Sequence, residues 1–142
     1  MAIGKLDHLD FTVDNLEKAE EFFTKKLGFK FRRRIEHWGE SLELTSPAGD
    51  VVFELHQAAE KVDKAGDEMP SGSLNHLAFL IDDPVKELAR LKAEGVPFSK
   101  DEPNHQPATG RYTLNVSDTS GDTWIQLSTK DPHVLSQPNR DN

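Results

Sequence analysis

His8 and His76 stand 68 residues apart, and Glu54 and Gln126 stand 72 apart, each pair in matching surroundings. Two imidazoles, one carboxylate and one primary amide make a donor set suited to a borderline divalent ion: zinc, nickel, iron, manganese or cobalt. The amide offers only a weak neutral carbonyl, so Glu54 alone brings charge to the set. Four protein ligands on an octahedral ion leave positions for water or substrate, as a catalytic metal requires. The competing reading is four polar side chains with separate hydrogen-bond partners. It is disfavoured because burial without a shared partner costs about 1–3 kcal/mol for each group left unsatisfied.

Repeated elements must bring the four together. The stretch DHLDFTVDN (7–15) aligns with NHLAFLIDD (75–83), with His8/His76, Leu9/Leu77, Phe11/Phe79 and Asp14/Asp82 identical. AGDVVFEL (48–55) aligns with SGDTWIQL (120–127), with Gly49/Gly121, Asp50/Asp122 and Leu55/Leu127 identical. The same order at nearly the same offset marks an internal duplication. In the first half, residues 6–13 alternate as a strand. A helix follows, with Asp14 as N-cap, Glu17 completing a capping box, Leu16, Ala19, Phe23 and Leu27 along one side, and Gly28 ending it. Strands are expected at 29–36, 41–45 and 51–57. In the second half a strand at 74–81 precedes a helix with Asp83 as cap, Pro84 first, the stripe Val85, Leu88 and Leu91, and Gly95 as stop. Three extended stretches follow, ending in 111–116 and 123–129.

The fold class is therefore α+β: two tandem βαβββ modules forming a curved sheet with a concave metal-site trough. Residues 1–57 form the first module, 58–73 a polar linker, 74–129 the second module and 130–142 a polar tail that Val134 and Leu135 would pin. Period-two alternation turns Leu9, Phe11 and Val13 towards the helix, and His8 and Asp10 to the opposite face. The same alternation puts His76, Glu54 and Gln126 on the trough side.

Composition limits the function. The 142 residues carry a net charge of −8, which disfavours nucleic acid and anionic membranes as partners. Arg32, Arg33 and Arg34 read as solvent-facing charges on an edge strand. Cysteine is absent, which excludes disulfides, thiolate metal sites and cysteine nucleophiles. No apolar run approaches the roughly 18 residues of a membrane span, and no signal segment is visible, so a cytoplasmic protein is expected.

On these residues the chain resembles the vicinal oxygen chelate superfamily. The carrying features are the paired modules with HLDFTVDNLEKAEEFFTKKLGF in the first and NHLAFLIDD and SGDTWIQL in the second. The resemblance runs from Leu6 to about Thr129. The superfamily includes glyoxalase I, extradiol dioxygenases, methylmalonyl-CoA epimerase, and fosfomycin and bleomycin resistance proteins. It implies metal ligation by His8, Glu54, His76 and Gln126. It also implies a lyase or isomerase of the glyoxalase I type, acting on a small substrate with vicinal oxygens through an enediolate-like intermediate. Gln126 stands where glyoxalase I usually has Glu, so the resemblance leaves Glu54 as catalytic base. Thr12 and Ala58 replace the Arg and Asn of glutathione-using members, which argues against a glutathione adduct. An Fe(II) ring-cleaving dioxygenase and a metabolite- or antibiotic-binding resistance protein are the alternatives. Small members often pair, so a homodimer is expected.

Further residues are candidates for the substrate pocket. Asp10 and Trp124 flank ligands on the trough face, and Arg111 could meet a substrate carboxylate. His105 lies in NHQPATG (104–110), a loop placed where a lid would be, and His37 and Trp38 would sit near the mouth. His56 reads as a strand-end hydrogen-bonding residue.

Overall fold

The computed structural model describes residues 3–36, 39–58, 66–67, 69–117 and 123–132. The first module comprises β1 (Leu6–Val13), α1 (Leu16–Glu21) continued by a π-helical segment (Phe22–Lys26), β2 (Lys30–Glu36), β3 (Glu40–Thr45) and β4 (Val52–Gln57). The second repeats the plan with β5 (Leu74–Leu80), α2 (Pro84–Ala93), β6 (Asn104–Gln106), β7 (Arg111–Val116) and β8 (Trp124–Ser128). The strands join in one curled eight-stranded sheet, ordered β2-β3-β4-β1-β5-β8-β7-β6. The α+β class with two βαβββ modules is thus observed.

The order has a direct consequence for the site. β1 and β5 pair antiparallel at the centre, while β4 lies parallel to β1 and β8 parallel to β5. The four strands bearing the candidate ligands are therefore contiguous. Alternation divides the sheet into two chemistries. On the helix side, Leu16, Leu42, Leu44 and Leu55 form one buried cluster with Phe11, Phe23, Phe29 and Phe53 against it. Leu88 and Leu91 of α2 pack with Ile81, Leu114 and Leu127 in the second. The trough side is polar yet buried: His8, Asp10, Glu43 and His56 are each at most 2% exposed.

Local details depart from the sequence reading in four places. Asn15, not Asp14, caps α1; its side chain accepts from Lys18 N at 2.9 Å. Gln57 completes that helix start by accepting from Leu16 N at 3.2 Å and donating to the Asp14 carbonyl. Leu27 leaves the buried stripe of α1 and is 46% exposed, and Val85 likewise leaves the α2 stripe, at 67%. The π-helical turn, with Leu27 N bonded to Phe22 O, advances less than about 100° per residue and rotates Leu27 off the line of Leu16 and Phe23.

The third correction concerns the arginines. A register shift between Phe31 and Arg33 turns both Arg32 and Arg33 onto Glu43 of β3. Both also bond Asp131, which follows β8. Arg32, Glu43 and Asp131 have fully buried side chains, so the cluster clasps the outer strands of module one to the end of module two. Only Arg34 keeps an edge role, pairing with Glu20 and Glu40 at 2.5 Å. Fourth, the expected lid is not one open loop. Asn104–Gln106 is strand β6, paired with β7, and a tight turn through Thr109 and Gly110 follows.

Pro70 to Ser73, at the end of the expected linker, bonds to Thr12 of β1: Thr12 Oγ1 donates to Pro70 O at 2.6 Å and Thr12 N to Ser73 O at 3.0 Å. His37, Trp38, the Gly121-Asp122 turn, and Val134 and Leu135 lie outside the described residues. Among the described residues, no helix is long and apolar enough to cross a membrane.

Candidate metal centre

β1 places Asp10 opposite His76 and His8 opposite Ala78, so the two histidines meet diagonally across the central strand pair. Their Nε2 atoms are 3.0 Å apart, with rings at 83° to one another. Each ring's other nitrogen faces an acceptor. His8 Nδ1 is 2.8 Å from Asp7 Oδ2, and His76 Nδ1 is 2.8 Å from Asn75 Oδ1. Asn75 is held in that orientation by its Nδ2 bond to Met69 Sδ. With His8 Nδ1 accepting from Arg111 Nη1 at 2.8 Å, His8 Nε2 donates to His76 Nε2; with protons on both Nδ1 atoms instead, Asp7 and Asn75 are satisfied and two Nε2 lone pairs are directed at one place. Such a pair repels unless a cation lies between them.

The residues fit a metal ion by that chemistry and by size. Two donors about 2.0–2.1 Å from one ion and at right angles are about 3 Å apart. The 3.0 Å between the Nε2 atoms therefore suits adjacent octahedral positions. Glu54 Oε2 lies 4.0 Å from His8 Nε2, and donor atoms of His8, Glu54 and His76 all fall within 4.8 Å of one another. Gln126 borders the same cavity, of about 300 Å³ counting the solvent at its mouth. Its amide nitrogen donates to Asn115 at 3.1 Å, which leaves its carbonyl oxygen as the atom that could face an ion.

Behind this group stands a second one. His56 Nε2 lies 2.9 Å from Asp10 Oδ2 and 3.2 Å from Glu54 Oε1. Burial works against a charged ring, but the Asp10 and Glu54 carboxylates outweigh it and raise the His56 pKa to about 9. Burial likewise works against a charged Glu54; the His56 hydrogen bond and the neighbouring imidazoles reverse this and hold its pKa well below the ordinary carboxylate value. Asp7 is lowered too, with burial overruled by His8 and Arg111. Glu54 is thus an anion with one oxygen held by His56 and the other turned towards His8.

The structure sorts the other pocket candidates. Asp10 is fully buried beneath the cavity, holding His56 and lying 3.7 Å from His76 Nδ1, and does not border it. Trp124, opposite His76 in register, is part-buried and also outside the lining. Arg111 does border the cavity and is 3% exposed. His105 does not: it is exposed, stacked at 4.8 Å on Tyr112, because strand alternation turns it away. Its neighbour Gln106 takes the inward place, with Thr109 and Thr113.

Sequence reading missed Asp7 and Asn75 as orienting acceptors. The repeated acceptor-His dipeptide, Asp7-His8 and Asn75-His76, was the available signal. It also missed Glu43, whose place beside Glu54 depends on the β3–β4 register.

The sequence profile of the Glyoxalase/Bleomycin resistance protein/Dioxygenase superfamily matches residues 5–125. The chain is 25% identical over 128 residues to the uncharacterized protein YwbC of Bacillus subtilis (strain 168), covering 87% of this chain and 95% of that one. Its fold is shared with methylmalonyl-CoA epimerase from Mycobacterium tuberculosis, at TM-score 0.69 and 19% identity over 92% of this chain and 91% of the other. A xylose isomerase-like TIM barrel/4-hydroxyphenylpyruvate dioxygenase fusion protein matches at TM-score 0.65 and 16% identity, over 93% of this chain and 27% of the larger one.

Proposed function

The chain belongs to the Glyoxalase/Bleomycin resistance protein/Dioxygenase superfamily, and from that premise we propose a metal-dependent isomerase or lyase acting on a small substrate with two neighbouring oxygens. The observation that carries it is the pair of Nε2 atoms held 3.0 Å apart beside an anionic Glu54. His8, His76, Glu54 and Gln126 would hold the ion. When bound, it supplies Lewis-acid stabilisation of negative charge on the substrate oxygens. Glu54 takes a proton from the carbon beside the carbonyl and returns it to the neighbouring carbon or to the opposite face. Its lowered pKa makes it a weak base, suited to a proton already acidified by the adjacent carbonyl. Gln126 cannot serve as base and acts as a neutral anchor. Asp7 and Asn75 keep both rings in the tautomer that leaves Nε2 bare. Two chains form a homodimer in this reading, checked by sedimentation at micromolar concentration; a monomer only would refute that part.

The test combines metal content with exchange of Glu54. Protein purified without chelator should carry about one ion per chain, and His76→Ala should weaken binding at least about tenfold. Glu54→Gln should keep the ion and lose about 10²–10⁴-fold in turnover, the usual range for a general base. Methylglyoxal hemithioacetals and acyl-CoA epimers are the first substrates. An unchanged metal affinity in His76→Ala overturns the site. A second reading has one specific support: two His and one carboxylate match the facial set of non-haem iron oxygenases. Oxygen uptake with a catechol and an iron-loaded protein would favour it.

A further inference from the structure

Arg111 sits on β7 with Thr113, both turned into the cavity, while Tyr112 between them is 45% exposed. Its guanidinium is buried and carries three kinds of donor. Nη2 reaches Asp7 Oδ2 at 2.9 Å, and Nη1 lies 2.8 Å from His8 Nδ1. Nε has no hydrogen-bond partner among the described residues.

The three-way contact at His8 cannot be satisfied in every state. Nδ1 has either a proton, which donates to Asp7, or a lone pair, which accepts from Arg111. Ligation through Nε2 requires the proton on Nδ1. Arg111 Nη1 then faces an N–H and has lost its acceptor, as Nε already has none. A fixed cation with two unspent donors is left in the wall of a small polar cavity. Gln106, Thr109 and Thr113 add neutral polar groups beside it. Charge points the same way. Asp7 offsets Arg111, and Glu54 offsets one charge of a divalent ion, so the cavity retains one positive charge.

We propose that Arg111 recognises a carboxylate on the substrate, so that this site takes a small monoanionic acid whose carboxylate lies next to its chelating oxygens. The proposal rests on the metal-centred reading above and names its substrate class. Nε–H and the Nη2 hydrogen beside it share one edge of the guanidinium, and such a fork matches two carboxylate oxygens in one plane, which a lysine or an amide cannot do. Neutral hemithioacetals would leave Arg111 unanswered, and so would be poor ligands.

Glycolate and glycolamide serve as the probes: they differ in carboxylate against amide and little in size. Both are titrated calorimetrically into cobalt-loaded protein, wild type and Arg111→Gln, with metal content measured on the same samples. The preference for glycolate should fall at least about tenfold in the variant while bound cobalt is unchanged. Because the ratio is compared between proteins, the carboxylate's own attraction to the ion cancels. Should Arg111→Gln fail to fold, nitrogen-15 spectra of the wild type replace it: the buried Arg111 Nε–H resonance should move with glycolate and not with glycolamide. An equal preference in both proteins, or a resonance unmoved by glycolate, overturns the proposal and leaves the metal centre standing. Loss of cobalt in parallel with loss of glycolate means that Arg111 only positions His8, which also overturns it. If the wild type binds no cobalt, the metal-centred reading falls, and with it the state that frees Arg111.

Discussion

At the scale of single residues, a histidine between two carboxylates governs the charge behind the site. His56 was legible as sharing the face of Glu54, from their spacing of two. Its role was not, because Asp10 comes from β1 and meets it only through parallel pairing of β1 with β4. That His8, Glu54, His76 and Gln126 share one face and one cavity was legible because duplication and period-two alternation both act along the chain. His105 failed by one residue, since the start of β6 was not readable from a short segment containing Pro and Gly. The His56 pKa is raised from 6.5 to about 9 in the folded chain, so its contribution is complete below pH 6.5 and is lost as pH rises through about 9. For a fully buried ring this is on the order of 3 kcal/mol. Urea unfolding of the ion-free protein should therefore show stability falling between those pH values, and His56→Gln should flatten the fall. Parallel pH profiles for the two proteins would contradict the assignment.

At the scale of elements, the strands and helices followed from periodicity, and the errors lie where a single residue changes phase. α1 begins one residue later than the capping-box pattern suggested, because Gln57 of β4 bonds Leu16 N and the Asp14 carbonyl and so fixes the approach of the chain. Its last turn widens to a π-helix, which no local signal announces. β2 hides a bulge that converts a run of three arginines into a buried clasp, whose partners Glu43 and Asp131 are 11 and 99 residues from Arg32. Separations of that size are set by topology and cannot be read from a local window. The capping assignment gives a sharp comparison. Asn15→Ala should cost about 1 kcal/mol of unfolding free energy. Asp14→Ala, which leaves its bonded carbonyl in place, should stay within about 0.5 kcal/mol. Denaturant melts of the two variants decide it, and the reverse order would restore Asp14 as the cap.

At the scale of the whole molecule, the sheet order brings β4, β1, β5 and β8 side by side within one chain, so the proposed ligand set is complete without a second copy. Whether modules would be exchanged between chains was open from the sequence, because a linker of either reach fits both arrangements. The described residues show the within-chain arrangement. Pro70 and Ser73 are bonded to Thr12, and Arg32 to Asp131, so each module is tied to the other near both ends of the trough. An ion held by both modules should then act as one more tie. Binding only to the folded state stabilises by RT ln(1 + [L]/Kd), about 2.7 kcal/mol at a hundredfold excess over Kd. For a chain of this size that corresponds to a rise in Tm of roughly 5–15 °C. Calorimetric scans of chelator-treated and reloaded protein should show this shift for the wild type and a much smaller one for His8→Ala, which removes the proposed ligand on β1. If no proposed ligand is lent between copies, the metal affinity per chain should also be unchanged on dilution through any dimer dissociation followed by sedimentation. Loss of the ion in step with dimer dissociation would mean that the site is shared after all, and the same scans would then show a concentration-dependent shift.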